Sequence, residues 1–183
     1  MKSIIGISGS LRTGSFNTAL LKAAMKLAPE GVTIEHAAID QIPLYNGDVE
    51  ARDGIPPAVA ALKDRIAESA GVLIATPEYN NSLPGVLKNA IDWLSRPSSD
   101  IDRVFKGRAV AIIGASPGPY GTILSQSAWL PVVRTLRMRP WLEGRLMVSR
   151  ANTVFDAAGE IVDESTHRRL SDFVQGFAQF IGR

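Results

Sequence analysis

The sequence predicts a doubly wound α/β sandwich: a five-stranded parallel sheet in the order 2-1-3-4-5, with helices on both faces. Three observations predict it. Apolar, β-branched runs alternate strictly with segments of helical spacing, the pattern of repeated right-handed βαβ units. Several of those runs are apolar almost without interruption, as strands buried on both faces require. The length, 183 residues, matches one domain of ordinary size, so residues 1–183 are read as a single unit.

Taken in chain order, Ser3–Ser8 is a continuous apolar run and is followed by helical spacing over about 15–28. Val32–Ile39 is interrupted by Glu35 and His36 and suits an edge strand. Residues 40–56 (DQIPLYNGDVEARDGIP) hold turn formers and acids and predict an exposed excursion. A helix over 57–69 leads to a second continuous run, Gly71–Thr76, and then to a helix over 84–95. On a helical wheel that helix's apolar residues span roughly 160°, against the roughly 100° stripe of a helix packed on one core. The extra width predicts contact with a partner subunit. Arg108–Gly114, a helix over 122–137, a fifth run near Trp141–Ser149 and a last helix over 165–181 complete the alternation.

Composition removes whole classes of chemistry. There is no cysteine, which excludes disulfides, thiolate metal sites and cysteine nucleophiles. The only histidines, His36 and His167, lack partners at ligand spacing, so no metal is expected. No apolar run approaches the roughly 18 residues that cross a bilayer, and the first strand begins at Ser3, so a cytoplasmic protein without membrane insertion is expected. The net charge of +2 is too small to indicate nucleic acid. It is unevenly spread, however: Arg103, Lys106, Arg108, Arg134, Arg137, Arg139, Arg145 and Arg150 face a single acid, Glu143, within one stretch.

In a sheet of this order, ligands bind beyond the carboxyl ends of the strands that flank the switch point. After the first strand, Ser8-Gly9-Ser10-Leu11-Arg12-Thr13-Gly14-Ser15-Phe16-Asn17 runs straight into a helix. Its glycines permit tight turns, Ser10, Thr13, Ser15 and Asn17 offer neutral donors, and Arg12 adds charge at a helix start, so a phosphate is expected there. Ser15 and Phe16 replace the Lys and Ser/Thr of a Walker loop, and the glycine pattern of dinucleotide binding is absent. After the third strand, Pro77-Glu78-Tyr79-Asn80 forms a proline-stiffened polar loop suited to the edge of a planar heterocycle. After the fourth, Ser116-Pro117-Gly118-Pro119-Tyr120-Gly121 lets backbone approach a flat ligand closely.

These residues resemble the NADPH-dependent FMN reductase family of the flavodoxin-like superfamily, which includes quinone, azo-dye and chromate reductases. The resemblance spans nearly the whole chain. It is carried by Gly9-Ser10-Leu11-Arg12 with Ser15 and Asn17, and by Pro77-Glu78-Tyr79-Asn80 continuing through Pro84-Gly85, Leu87-Lys88-Asn89-Ala90-Ile91-Asp92-Trp93 and Ser95-Arg96. It implies a three-layer α/β/α flavodoxin-like sandwich and a noncovalent FMN. The flavin's phosphate would meet Ser10, Arg12, Ser15, Phe16 and Asn17, and its ring Pro77, Glu78, Tyr79, Asn80, Ser116, Gly118 and Gly121. It further implies hydride transfer from NADPH or NADH to flavin N5 and then, in a second half-reaction, to quinones or similar small acceptors (azo compounds, chromate, free flavin). No side chain need act as catalytic acid or base. The family also implies a homodimer or homotetramer, with Arg134, Arg137 and Arg139 serving either subunit pairing or the NADPH 2′-phosphate. A flavodoxin-like electron carrier and an FMN-binding module without turnover are the alternatives; carriers are generally acidic, which a charge of +2 does not match.

Overall fold

In the computed structural model, which describes residues 1–182, β1 (Lys2–Ser8) lies inside the sheet because its alternate residues bury opposite ways. Ile4 faces one core, while Ile5 and Ile7 face the other. β1 pairs in parallel with β2 (Val32–Ala37) on one side and β3 (Gly71–Ala75) on the other. β3 in turn pairs with β4 (Ala109–Ala115), so the order β2-β1-β3-β4-β5 agrees with the sequence reading. As expected, β2 is the edge strand, with Glu35 and His36 exposed.

Right-handed crossovers sort the helices onto two faces. α1 (Phe16–Lys26) and the last helix, α8 (Glu164–Phe180), cover the face of Ile4, Leu73 and Ile113. The opposite face is covered by α3 (Pro57–Glu68), α4 (Gly85–Leu94) and α6 (Ile123–Thr135), with Trp93 and Trp129 at its centre. Three short helices complete the set: α2 (Gly47–Asp53), α5 (Ile101–Val104) and α7 (Ala151–Val154).

The fifth strand departs from expectation. In place of one run near 141–149, two short segments pair with β4 in succession: β5 (Arg139–Pro140) beside Ala109–Val110, and β6 (Leu146–Val148) beside Ile113–Ala115. The sheet therefore has six strands, two of which share the outer position. The cause is Trp141, whose indole packs on Phe173 and Phe177 of α8. Residue 144 passes so close to that ring that a Cβ there would lie 2.2 Å from it, so the chain leaves the ladder to clear the indole, and Gly144 makes the crossing.

Residues 40–56 are exposed as expected, but they also contain α2, which buries no residue of its own. Polar bonds pin this excursion to α4. The Trp93 indole and the Asn89 amide both donate to the Pro43 carbonyl, the Asn89 carbonyl oxygen accepts from the Tyr45 N–H, and Arg96 pairs with Glu50. Part of α4's apolar face is thus covered within the chain, where Tyr45 packs edge-on against a fully buried Trp93, while Val86 stays exposed.

Beneath α4, Lys63 is buried, its ammonium 2.5 Å from Asp100, with the Arg96 carbonyl as a further acceptor. Arg103 and then Lys63 hold the Asp100 carboxyl well below the usual carboxylate range. A depressed folded-state pKa contributes stability that is present above about pH 4 and lost as the pH falls through it. Asp100→Asn is expected to cost about 2 kcal/mol at pH 7, because it strands a buried ammonium, with the gap from wild type narrowing in acid. Urea denaturation at both pH values checks this; equal midpoints at pH 7 would mean that the carbonyl alone suffices.

Candidate functional site: a cleft at the carboxyl ends of three strands

The loops after β1, β3 and β4 meet in a cleft of about 410 Å³. Its wall contains Ser10, Arg12, Ser15, Phe16 and Asn17 from the first loop, Pro77, Glu78 and Tyr79 from the second, and Ala115, Ser116 and Pro117 from the third. Close approach of the first two loops depends on Gly9, where a Cβ would fall 2.9 Å from both Pro77 and Leu87. Nine of the residues expected to contact the flavin, counting from Ser10 to Ser116, line this one cavity.

In the first loop, Ser15 caps α1, its hydroxyl oxygen accepting from the N–H groups of Asn17 and Thr18. The Ser15 hydroxyl accepts these bonds and, among the described residues, donates none. Arg12 has no carboxylate partner among the described residues; its guanidinium lies 5.8 Å from the centre of the Phe16 ring. No acid occupies the first turn of α1. An unneutralised arginine and capping hydroxyl at the positive end of an eleven-residue helix form a receptor for a phosphate, so the donor set fits FMN.

Asn17 has a role that the sequence did not disclose. Its buried amide donates to the Ala115 carbonyl and accepts from the Ala115 N–H, both at 2.9 Å, tying the start of α1 to the end of β4. Glu78 makes the corresponding tie for the second loop. One carboxylate oxygen accepts from the N–H groups of Leu124 and Ser125, at 2.9 and 3.1 Å, and so caps α6. Behind it, the Thr76 hydroxyl is linked to the Ser125 hydroxyl and accepts from the Trp129 indole N–H. Tyr79 stays half exposed at the rim.

Three expected contacts fall outside the cleft wall. Asn80 and Asn81, both with positive φ, form the tip of a tight hairpin closed by mutual Tyr79–Ser82 backbone bonds. Gly121, with φ of 63°, packs on Met147, where a Cβ would come within 2.9 Å. The Gly118 carbonyl is taken up by the Arg150 N–H. Sequence spacing brings these residues to the loops without revealing which way the backbone turns.

The basic stretch also resolves. Arg103 pairs with Asp100 and Asp64, Lys106 and Arg137 with Asp102, and Arg139 lies over Phe180. The Arg108 guanidinium donates to main-chain carbonyls. Register puts Arg139 opposite Ala109 and Val148 opposite Ala115, so Arg137 and Arg139 stand at the end of the sheet away from the cleft. Arg134, in the last turn of α6, is carried to that same end. None of the three lines the cleft. His36, though exposed overall, is held below its ordinary pKa by the partial desolvation of its ring and then by the charges of Lys22 and Arg65.

A family model for NADPH-dependent FMN reductases matches residues 2–153. The chain belongs to the NADPH-dependent FMN reductase family. Among its relatives, an NAD(P)H-dependent FMN reductase of Pseudomonas aeruginosa is 43% identical over 180 residues, covering 98% of this chain and 95% of the relative. A quinone reductase of Escherichia coli is 36% identical, covering 98% and 95%. The solved structure of FerB, a flavoenzyme NAD(P)H:(acceptor) oxidoreductase from Paracoccus denitrificans, superposes with a TM-score of 0.88 at 36% identity, covering 100% of this chain and 98% of that one. Sequence, fold and cleft thus agree on the family.

Loss of the Glu78 cap is expected to be measurable. Glu78→Ala should cost about 1–2 kcal/mol by removing a charged helix cap, and Glu78→Gln, which keeps an oxygen acceptor, should recover most of it. Denaturation midpoints of the two variants decide; an unshifted alanine variant would mean that water satisfies the two N–H groups equally well.

Proposed function

We propose that the protein is an FMN-dependent NAD(P)H oxidoreductase that passes electron pairs to quinones and similar small acceptors. The observation that carries this reading is the unpaired Arg12 and the Ser15 cap at the start of α1, facing Pro77–Tyr79 across one cleft. In this reading Ser10, Arg12 and Ser15 hold the FMN phosphate, and Asn17 holds their loop against β4. Pro77, Tyr79 and Ser116 flank the ring, while Glu78 fixes the loop that presents it. Bound FMN supplies a hydride acceptor at N5 and releases the electron pair to the next substrate.

The protein's own part is to bind and orient. Two prolines and the Asn80-Asn81 hairpin stiffen the ring loop, so little ordering remains when a ligand enters. No cleft residue needs to move a proton, in keeping with the helix-capping role of the Glu78 carboxylate. The relatives' names support NAD(P)H as reductant and quinones as acceptors. A reductant drawn from the NAD(P)H pool implies work in the cytoplasm. Self-association into a dimer or tetramer through the helix 84–95 belongs to this reading, supported by the family resemblance and by the exposed Val86 on α4.

The test is anaerobic. Flavin bands of the purified protein should bleach on adding NADPH and return on adding a quinone. Bands that fail to bleach would point to a binding module, and rapid reduction only through a protein partner to a carrier. Arg12→Ala should weaken FMN binding by about 1.5–3 kcal/mol with folding intact, the usual scale for a lost charge-assisted hydrogen bond. An unchanged flavin titration would place Arg12 elsewhere.

A further inference from the structure

A second cavity, of about 280 Å³, opens on the far side of the loop after β1. Ser10 and Arg12 line both this cavity and the cleft, so the loop is the partition between them. Sheet order explains the division. β3 and β4 carry the cleft on one side of β1, and the edge strand β2 carries this cavity on the other. At its floor the buried Ser8 and Thr18 bond hydroxyl to hydroxyl at 2.8 Å. Its outer wall is the end of β2 and the chain leaving it, with His36, Ala38 and Asp40.

The chemistry of that lining suits a sugar beside a phosphate. Asp40 is the only acid among the lining residues. One of its carboxylate oxygens accepts from the Gln41 amide at 2.9 Å, and the other has no hydrogen-bond partner among the described residues. Around it the field is positive: Arg12 stands in the wall, and the charges of Lys22 and Arg65 add to the desolvation that lowers the His36 pKa. The exposed Leu11 adds apolar surface against which a base can lie. In doubly wound sheets that bind dinucleotides, a carboxylate just beyond the second strand meets the ribose. A nicotinamide stacked on a flavin ring leaves its adenosine end to be placed elsewhere, and the neighbouring cavity, joined to the cleft through Ser10 and Arg12, has the groups to receive it.

We infer, resting on the NAD(P)H reading of the cleft, that this cavity takes the adenosine ribose of the nicotinamide cosubstrate and that Asp40 accepts a hydrogen bond from the 2′-hydroxyl. Asp40 is then the residue that weighs NADH against NADPH. A 2′-phosphate in the same place sets negative charge against the carboxylate and removes the hydrogen that the carboxylate accepts.

Two variants test this in the FMN-loaded protein, titrated by calorimetry with NAD⁺ and NADP⁺ at low salt, with FMN affinity and the denaturation midpoint measured alongside. Asp40→Asn keeps the shape and removes the charge, while Ala38→Trp fills the cavity from an exposed position just past β2. Asp40→Asn is expected to weaken NAD⁺ binding about three- to tenfold and to leave NADP⁺ binding unchanged or tighter. Ala38→Trp should weaken both by about tenfold or more, with FMN affinity and the midpoint as in wild type. A preference moved by Asp40→Asn with binding untouched by Ala38→Trp would mean that the charge acts from a distance, which overturns the cavity as the site. Equal weakening of both dinucleotides by Asp40→Asn overturns the 2′-hydroxyl contact. Unchanged binding in both variants overturns the whole inference and leaves the oxidoreductase reading standing, whereas a wild-type protein that holds no FMN defeats that reading instead.

Discussion

The reciprocal bond between Asn17 and Ala115 is the constraint on which the site depends. A buried amide meets both the N–H and the C=O of one strand-end residue, leaving that residue no freedom to twist and α1 no freedom to slide. Because both partners are buried, breaking either bond would strand a polar group without water, so the arrangement is strongly specified. The loop after β1 and the loop after β4 therefore face each other at a fixed separation.

A second tie extends the same logic across the sheet. Glu78 places its charge at the positive end of α6, and the Thr76, Ser125 and Trp129 side chains close a hydrogen-bonded chain behind it. The loop after β3 and the helix after β4 become one body. Arg150 and Ala151 fasten the far side of the β4 loop to the end of β6. Flexible-looking stretches of Ser, Gly and Pro are thus rigid where they line the cleft, which suits a site whose chemistry comes from a cofactor that must be held flat and accessible. The polar clamp of residues 43–50 on α4 repeats the device away from the cleft.

Much of this was legible in the sequence. The continuous apolar runs at Ser3–Ser8, Gly71–Thr76 and Arg108–Gly114 announced buried parallel strands, since only such strands bury both faces. Gly9, Ser10, Arg12 and Ser15 at a strand-to-helix turn announced an anion site, since helix geometry points N–H groups there whatever surrounds them. The Trp141–Ser149 run was misjudged because its break depends on an indole clearing a glycine and on aromatic rings from a helix some thirty residues later. For the 84–95 helix, a helical wheel cannot show that Pro43 and Tyr45 fold back over Trp93 and take up part of its apolar breadth.

By itself, then, the sequence determined the sheet order and the loops that form the cleft, and its turn chemistry predicts an anion there. These follow from periodicity, crossover handedness and local turn chemistry, all of which act over a few neighbouring residues. Tertiary structure alone decided which polar side chains remain free for a ligand and which are consumed in holding the loops. It also decided that Arg137 and Arg139 stand at one end of the sheet and Arg150 at the other. The physical reason is that hydrogen-bond and ion-pair partners such as Asn17 with Ala115, or Glu78 with Leu124, lie far apart along the chain, and strand register alone brings them together.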